Sequence, residues 1–164
     1  MRSALALLAV AAAVVAAPTA TAKVIASGYP LAARCPAAGV RDDVDRWMMN
    51  SCNCTSYVAW ALEANDQRTD WFVPGSMDAW NWANVARRAD IPVGITPRVG
   101  AVAVWPKLSK PYGHVAYVTA VHRDGTFDVS EYNFGPEFGY PRFTYDARRD
   151  VDAGGAAFIY VPRR

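Results

Sequence analysis

Long basic runs are missing from this sequence, and with them the simplest route to a nucleic-acid partner. Lys and Arg number 17 against 15 Asp and Glu, a formal charge of +2. No cluster among them makes a phosphate-binding stripe, and the pair Arg163-Arg164 is too short to change that. Internal repeats, low-complexity blocks and linkers are also missing after Ala22, so a single domain is expected. No apolar run reaches the roughly 20 residues that span a bilayer. The longest, Ala4 to Ala17, has 14 residues. Arg2 precedes it, and Ala20-Thr21-Ala22 follows as a small-x-small exit. This is the pattern of a secretory signal peptide. Residues 1–22 are read as a signal cleaved after Ala22, and residues 23–164 as one domain, exported, monomeric and without a membrane span.

Cysteine and histidine are scarce. The three cysteines are Cys35, Cys52 and Cys54; the two histidines are His114 and His122. An odd cysteine count in an exported chain implies one bridge and one thiol. The expected bridge is Cys35 with Cys52, worth about 3 kcal/mol in the chain-entropy model. The rival pairing, Cys35 with Cys54, would block the third thiol.

The first half of the chain reads as helical. Residues 23–39 are an irregular lead-in with Gly28, Pro30, Pro36 and Gly39. Arg41 to Met49 is expected as a short helix, with Asp42, Asp43 and Asp45 near its positive end. Those acids lack the glycine and terminal glutamate of a calcium loop, so no metal is assigned to them. Asn53 to Asn65 is a stronger helix, with Asn53 as N-cap and Tyr57, Val58, Ala61 and Leu62 at helical spacing. Ser76 to Ala89 is another. From Gly100 the pattern turns to strands: Ala101 to Trp105, His114 to His122, Thr126 to Phe134 and Ala156 to Val161. Helices first and hairpin-linked strands second indicate an α+β fold, with helices packed on one face of an antiparallel sheet.

Cys54 falls at the start of the Asn53-capped helix. Unpaired N–H groups there favour a thiolate and can receive the oxyanion formed when it attacks a carbonyl. A base is then sought on the hairpin. If Asp124-Gly125 is a two-residue turn, Ala116 lies opposite Asn133 and Val118 opposite Glu131. Alternation puts His114, Glu131 and Asn133 on one face, with Val115, Tyr117 and Thr119 on the other. Either Glu131 or Asn133 could orient the imidazole. On a flat ladder Asn133 is the nearer, while twist or a bulge would bring Glu131 closer. An odd loop length would reverse the parity. His122, about 26 Å along the strand, abuts the turn and is a poor rival for the base.

Four ordered segments carry a family resemblance: Asn53-Cys54-Thr55-Ser56-Tyr57-Val58-Ala59-Trp60, residues 97–105, Gly113-His114-Val115-Ala116-Tyr117-Val118, and Ser130-Glu131-Tyr132-Asn133 after Asp124-Gly125. They resemble CHAP domains, the cysteine, histidine-dependent amidohydrolases/peptidases of the NlpC/P60, papain-like group. The resemblance implies a papain-like fold and a peptidoglycan hydrolase, an N-acetylmuramoyl-L-alanine amidase or an endopeptidase. It implies Cys54 as nucleophile, His114 as base, and Glu131 and Asn133 completing the site, with the acid as the main orienting group. No cofactor is needed for that chemistry. The residue before the nucleophile is often Gln in the family and is Asn53 here. Two other readings share the sequence: an inactive module binding wall material through Trp71, Trp80, Trp82 or Trp105, and an exported antibacterial effector with the same chemistry.

Overall fold

The computed structural model describes residues 28–35, 43–73, 78–139 and 142–164. The expected signal segment, Asp42, and Ser76 with Met77 lie outside the described residues. Six strands form one antiparallel sheet: β1 (Val93–Gly94), β2 (Val102–Trp105), β3 (His114–Val121), β4 (Phe127–Tyr132), β5 (Tyr145–Val151) and β6 (Ala157–Ile159). Their order is β1-β6-β2-β3-β4-β5. Among the described residues the main helices are α1 (Cys54–Ala64) and α2 (Trp82–Arg88), the latter preceded by a 3-10 turn at Ala79–Asn81. The α+β expectation holds.

Strand alternation splits the core in two. Val115 and Tyr117 join Val102, Val104 and the helix residues Tyr57, Val58, Leu62 and Trp82 in the larger cluster. Ala116 and Val118 join Ala103, Trp105, Phe127 and Phe158 in a smaller one. Trp71, Trp82 and Trp105 are buried in this packing, whereas Trp80 is 46% exposed. Three of the four tryptophans suggested for wall docking are therefore core residues.

The helix expected over Arg41 to Met49 is absent over its described part. Val44 bridges to Asn50 instead, and Met48 has φ 64. Asp45 organises this turn: its Oδ1 accepts the backbone N–H groups of Trp47 (2.8 Å) and Met49 (3.0 Å). A side chain that satisfies nearby backbone donors competes directly with a helix.

The hairpin also departs from the expected register. His122 N–H donates to Thr126 O at 2.9 Å, so the loop is Arg123-Asp124-Gly125, three residues with Gly125 at φ +90. That odd length reverses the parity. A bulge between Val118 and Ala120 then restores it, and Val118 pairs with Val129 rather than Glu131. The two departures cancel for facing and leave a net shift of two residues.

Candidate active site

Short-range chemistry fixes the approach to Cys54. Cys35 and Cys52 are joined by a disulfide, and Cys54 is the free thiol. Cys52 takes a left-handed backbone (φ 65), and its N–H donates to Tyr29 Oη at 3.2 Å. Tyr29 Oη lies 2.5 Å from Ser56 Oγ, which in turn bonds Asp45. The bridge and this polar chain hold an unfavourable backbone turn immediately before the helix. Asn53 is extended, and Cys54 is the first residue of α1. Asn53 caps the helix in position only, because its side chain makes no capping hydrogen bond. Its Oδ1 accepts instead from Asn133 Nδ2 at 2.7 Å. The Asn53 side-chain NH₂ is then turned away from Asn133.

His114 opens β3 directly after Gly113. Gly113 has φ +75, and a Cβ there would lie 2.5 Å from the backbone N of Trp80. Only glycine fits this crossing, which fixes where the histidine strand begins. The imidazole lies between Trp105 and Phe134, with ring centroids 6.1 and 5.0 Å away.

The observed register puts Ala116 opposite Glu131 and makes Glu131 the diagonal neighbour of His114. Glu131 Oε2 is 2.7 Å from His114 Nε2, and both residues are almost wholly buried. That leaves Nδ1 to face Cys54, with which the ring also hydrogen-bonds. Asn133 is engaged elsewhere: its Nδ2 donates to Asn53 Oδ1, and its Oδ1 accepts Phe143 N–H at 2.9 Å. Of the two candidates left open by the sequence, Glu131 is thus the one on the imidazole.

Electrostatics follow the geometry. Burial alone pushes His114 down. The Cys54 charge and hydrogen bond, reinforced by Glu131, outweigh it and raise the ring to about 9. Burial pushes Glu131 up, but hydrogen bonds from His114 and Arg148 hold it below the usual carboxylate range. Asp146, paired with Glu131 across the sheet, is pushed up to about 6 by burial and the Glu131 charge.

Arg148 was not singled out from the sequence. Its Nε bonds Glu131 Oε1, and its Nη2 lies 3.0 Å from Oε2. The signal was weak: β5 reads Tyr-Asp-Ala-Arg-Arg-Asp-Val, with no apolar alternation to mark a strand.

A groove of about 970 Å³ opens over this centre. Asn53, Cys54, His114 and Asn133 lie in its floor, and Lys107, Tyr112, Phe138 and Arg142 are among its walls. A separate hollow of about 470 Å³, at Arg46, Trp47, Arg68 and Phe72, contains none of the four site residues. Asp45 spends its carboxylate on the turn and on Ser56.

The chain is 47% identical over 58 residues to the secretory antigen ssaA2 of Staphylococcus aureus, covering 35% of this chain and 21% of the antigen. It is 34% identical over 93 residues to a Streptococcus mutans protein named only as a hydrolase, covering 56% and 41%. A crystal structure of an N-acetylmuramoyl-L-alanine amidase from Staphylococcus aureus superposes with a TM-score of 0.56 at 27% identity, over 69% of this chain and 31% of the amidase. The chain spans well under half the length of each of these relatives. The CHAP domain model matches residues 44–133, a stretch holding Cys54, His114, Glu131 and Asn133. Matched over more than half its length, the chain belongs to the CHAP domain family.

Proposed function

We propose that this protein is an exported peptidoglycan hydrolase that cleaves an amide or peptide bond by cysteine nucleophilic catalysis. The observation that carries this reading is the contact series Cys54–His114–Glu131, whose thiol and imidazole line an open groove and whose carboxylate is buried behind them. A buried histidine held between a thiol and a carboxylate costs burial energy that packing alone would not require.

In the reaction the Cys54 thiolate attacks the carbonyl carbon, and the C–O π electrons move to oxygen. Backbone N–H groups at the start of α1 and the Asn53 amide NH₂ are positioned to stabilise that oxyanion. The C–N bond then breaks, and the imidazolium of His114 delivers its proton to the leaving amine. Water attacks the thioester and gives a proton to His114, and the C–S bond breaks to release the acid product and the Cys54 thiolate, restoring the starting thiolate–imidazolium pair. Glu131 holds the ring through Nε2 and stabilises its charge. Asn133 acts on Asn53 rather than on the histidine. An inactive wall-binding module would gain nothing from this buried ionisable series. An antibacterial effector would share the chemistry and differ only in whose wall is cut.

Export rests on the signal pattern in residues 1–22 and on a disulfide suited to an oxidising compartment. The scissile bond is either the amide between the glycan lactyl group and the first alanine or a bond within the stem or cross-bridge. Mass spectrometry of purified peptidoglycan after digestion separates the two. Sugar-free intact stems identify an amidase, and cut stems or bridges an endopeptidase. Products identical to undigested wall would overturn the hydrolase reading.

A further inference from the structure

The catalytic series does not end at Glu131. Three adjacent strands carry a diagonal line of side chains: His114 on β3, Glu131 on β4 and Arg148 on β5. Arg148 pairs in register with Val129, two residues from Glu131 on the same face. Its guanidinium takes both Glu131 oxygens, Nε on Oε1 and Nη2 on Oε2. Oε2 is also the atom 2.7 Å from His114 Nε2. A lone carboxylate could turn about its terminal bond and lose the imidazole. A two-toothed guanidinium fixes the plane of the carboxylate, which a point charge does not do.

Arg148 is itself immobilised. Its guanidinium carbon lies 3.9 Å from the centroid of Phe134 and 5.2 Å from that of Trp105. These two rings also flank His114. One aromatic slot therefore seats the imidazole and the guanidinium, with the carboxylate between them.

We propose that Arg148 is a positioning residue of the catalytic machinery, whose fork locks the Glu131 carboxylate in the one rotation that presents Oε2 to His114. It lies beyond residues 44–133, so β5 brings to the site a group outside the matched family region. This role rests on the reading of Cys54 as nucleophile. Without the fork, the buried carboxylate is free to turn or to take up a proton. The imidazolium then loses its partner, and with it Cys54 loses the oriented ring that activates it. Among the described residues, other ionisable groups that feel the Glu131 charge are Asp146, paired with it on β5, and Tyr145 and Tyr57.

The test follows iodoacetamide alkylation of Cys54 by intact mass at neutral pH, with no substrate present. Compared are wild type, Arg148→Ala, Arg148→Lys and, as control, the exposed neighbour in Arg149→Ala. Arg148→Ala is expected to react about tenfold more slowly, the low end of what a lost positioning contact costs. Added guanidinium ion, below denaturing concentration, is expected to restore most of that rate, and methylammonium is not. Arg148→Lys stays slow despite its charge, and Arg149→Ala matches wild type. Alkylation of Arg148→Ala within twofold of wild type overturns the proposal. Should Arg148→Ala not fold, Arg148→Lys decides alone: a wild-type rate there means that charge suffices and the fork does nothing. Because no wall substrate enters, these outcomes stand whichever bond the enzyme cuts. The underlying reading fails separately, if His114→Ala leaves the alkylation rate unchanged.

Discussion

Two histidines stand at opposite ends of β3, and each has a carboxylate on its Nε2. His114 lies 2.7 Å from Glu131, and His122 lies 2.8 Å from Asp128, with Asp150 at 3.6 Å. By bond length the pairs are nearly alike. Their surroundings are opposite. His114 and Glu131 are 1% and 0% exposed, and a thiol and an arginine extend the series at either end. His122 and Asp128 are 37% and 22% exposed. Water and salt screen the outer pair, and no cysteine faces it. A histidine–carboxylate contact is therefore common surface chemistry. What makes the inner one a candidate catalytic centre is burial, a free thiol beside the ring and a groove above it.

The largest effect that separates the two is deletion of each ring. His114→Ala should abolish wall hydrolysis, while His122→Ala should stay within about twofold of wild type, since surface changes of this kind are generally small. Turbidity loss of a purified wall suspension measures both, with circular dichroism as the folding control. Equal losses would erase the distinction.

Next come the carboxylates. Glu131→Gln should lower kcat about 10²-fold through loss of orientation and charge, and Asp128→Asn should leave it near wild type. Asn133→Ala should fall between them, because Asn133 acts one step removed, through Asn53. If Asn133→Ala costs more than Glu131→Gln, the assignment of the orienting role to Glu131 is wrong.

A pH profile gives a smaller but more specific signal. The raised His114 keeps its proton through the ordinary value of 6.5 and loses it near 9. The leaving amine needs that proton, so kcat/KM should decline as pH rises through about 9. An alkaline limb centred near 6.5 would mean that the imidazolium is not stabilised as described.

The smallest expected change concerns the bridge. Reduction of Cys35–Cys52 should lower stability by about 3 kcal/mol in the chain-entropy model and loosen the turn at Cys52. A thermal midpoint unchanged by reductant would remove that contribution.

Much of the site could be read from the sequence because its signals are local. Cys54 at a helix start, His114 opening a strand and Glu131 on the facing strand all follow from short-range pattern. The hairpin shows how fragile such reading is. The loop is one residue longer than Asp-Gly suggests, and the bulge near Thr119 hides the difference. Facing survived, but the net shift moved Glu131, rather than leaving Asn133, as the group that meets His114. Arg41 to Met49 misled because acids that suit a helix dipole also close turns, as Asp45 does. Asn53 precedes the helix as expected, yet a residue 80 positions away takes its side chain. Arg148 went unnoticed because an edge strand with one solvent-facing side needs few apolar residues. Its partner Glu131 is set by tertiary pairing, which no local pattern encodes.

The most direct check of the central claim is the release of soluble fragments from purified peptidoglycan by wild type and Cys54→Ala, with products identified by mass spectrometry. The account predicts new amide-cleavage products from wild type, their loss on iodoacetamide treatment without reductant, and none from a folded Cys54→Ala. The same products from Cys54→Ala, at a rate within a few-fold of wild type, would contradict it.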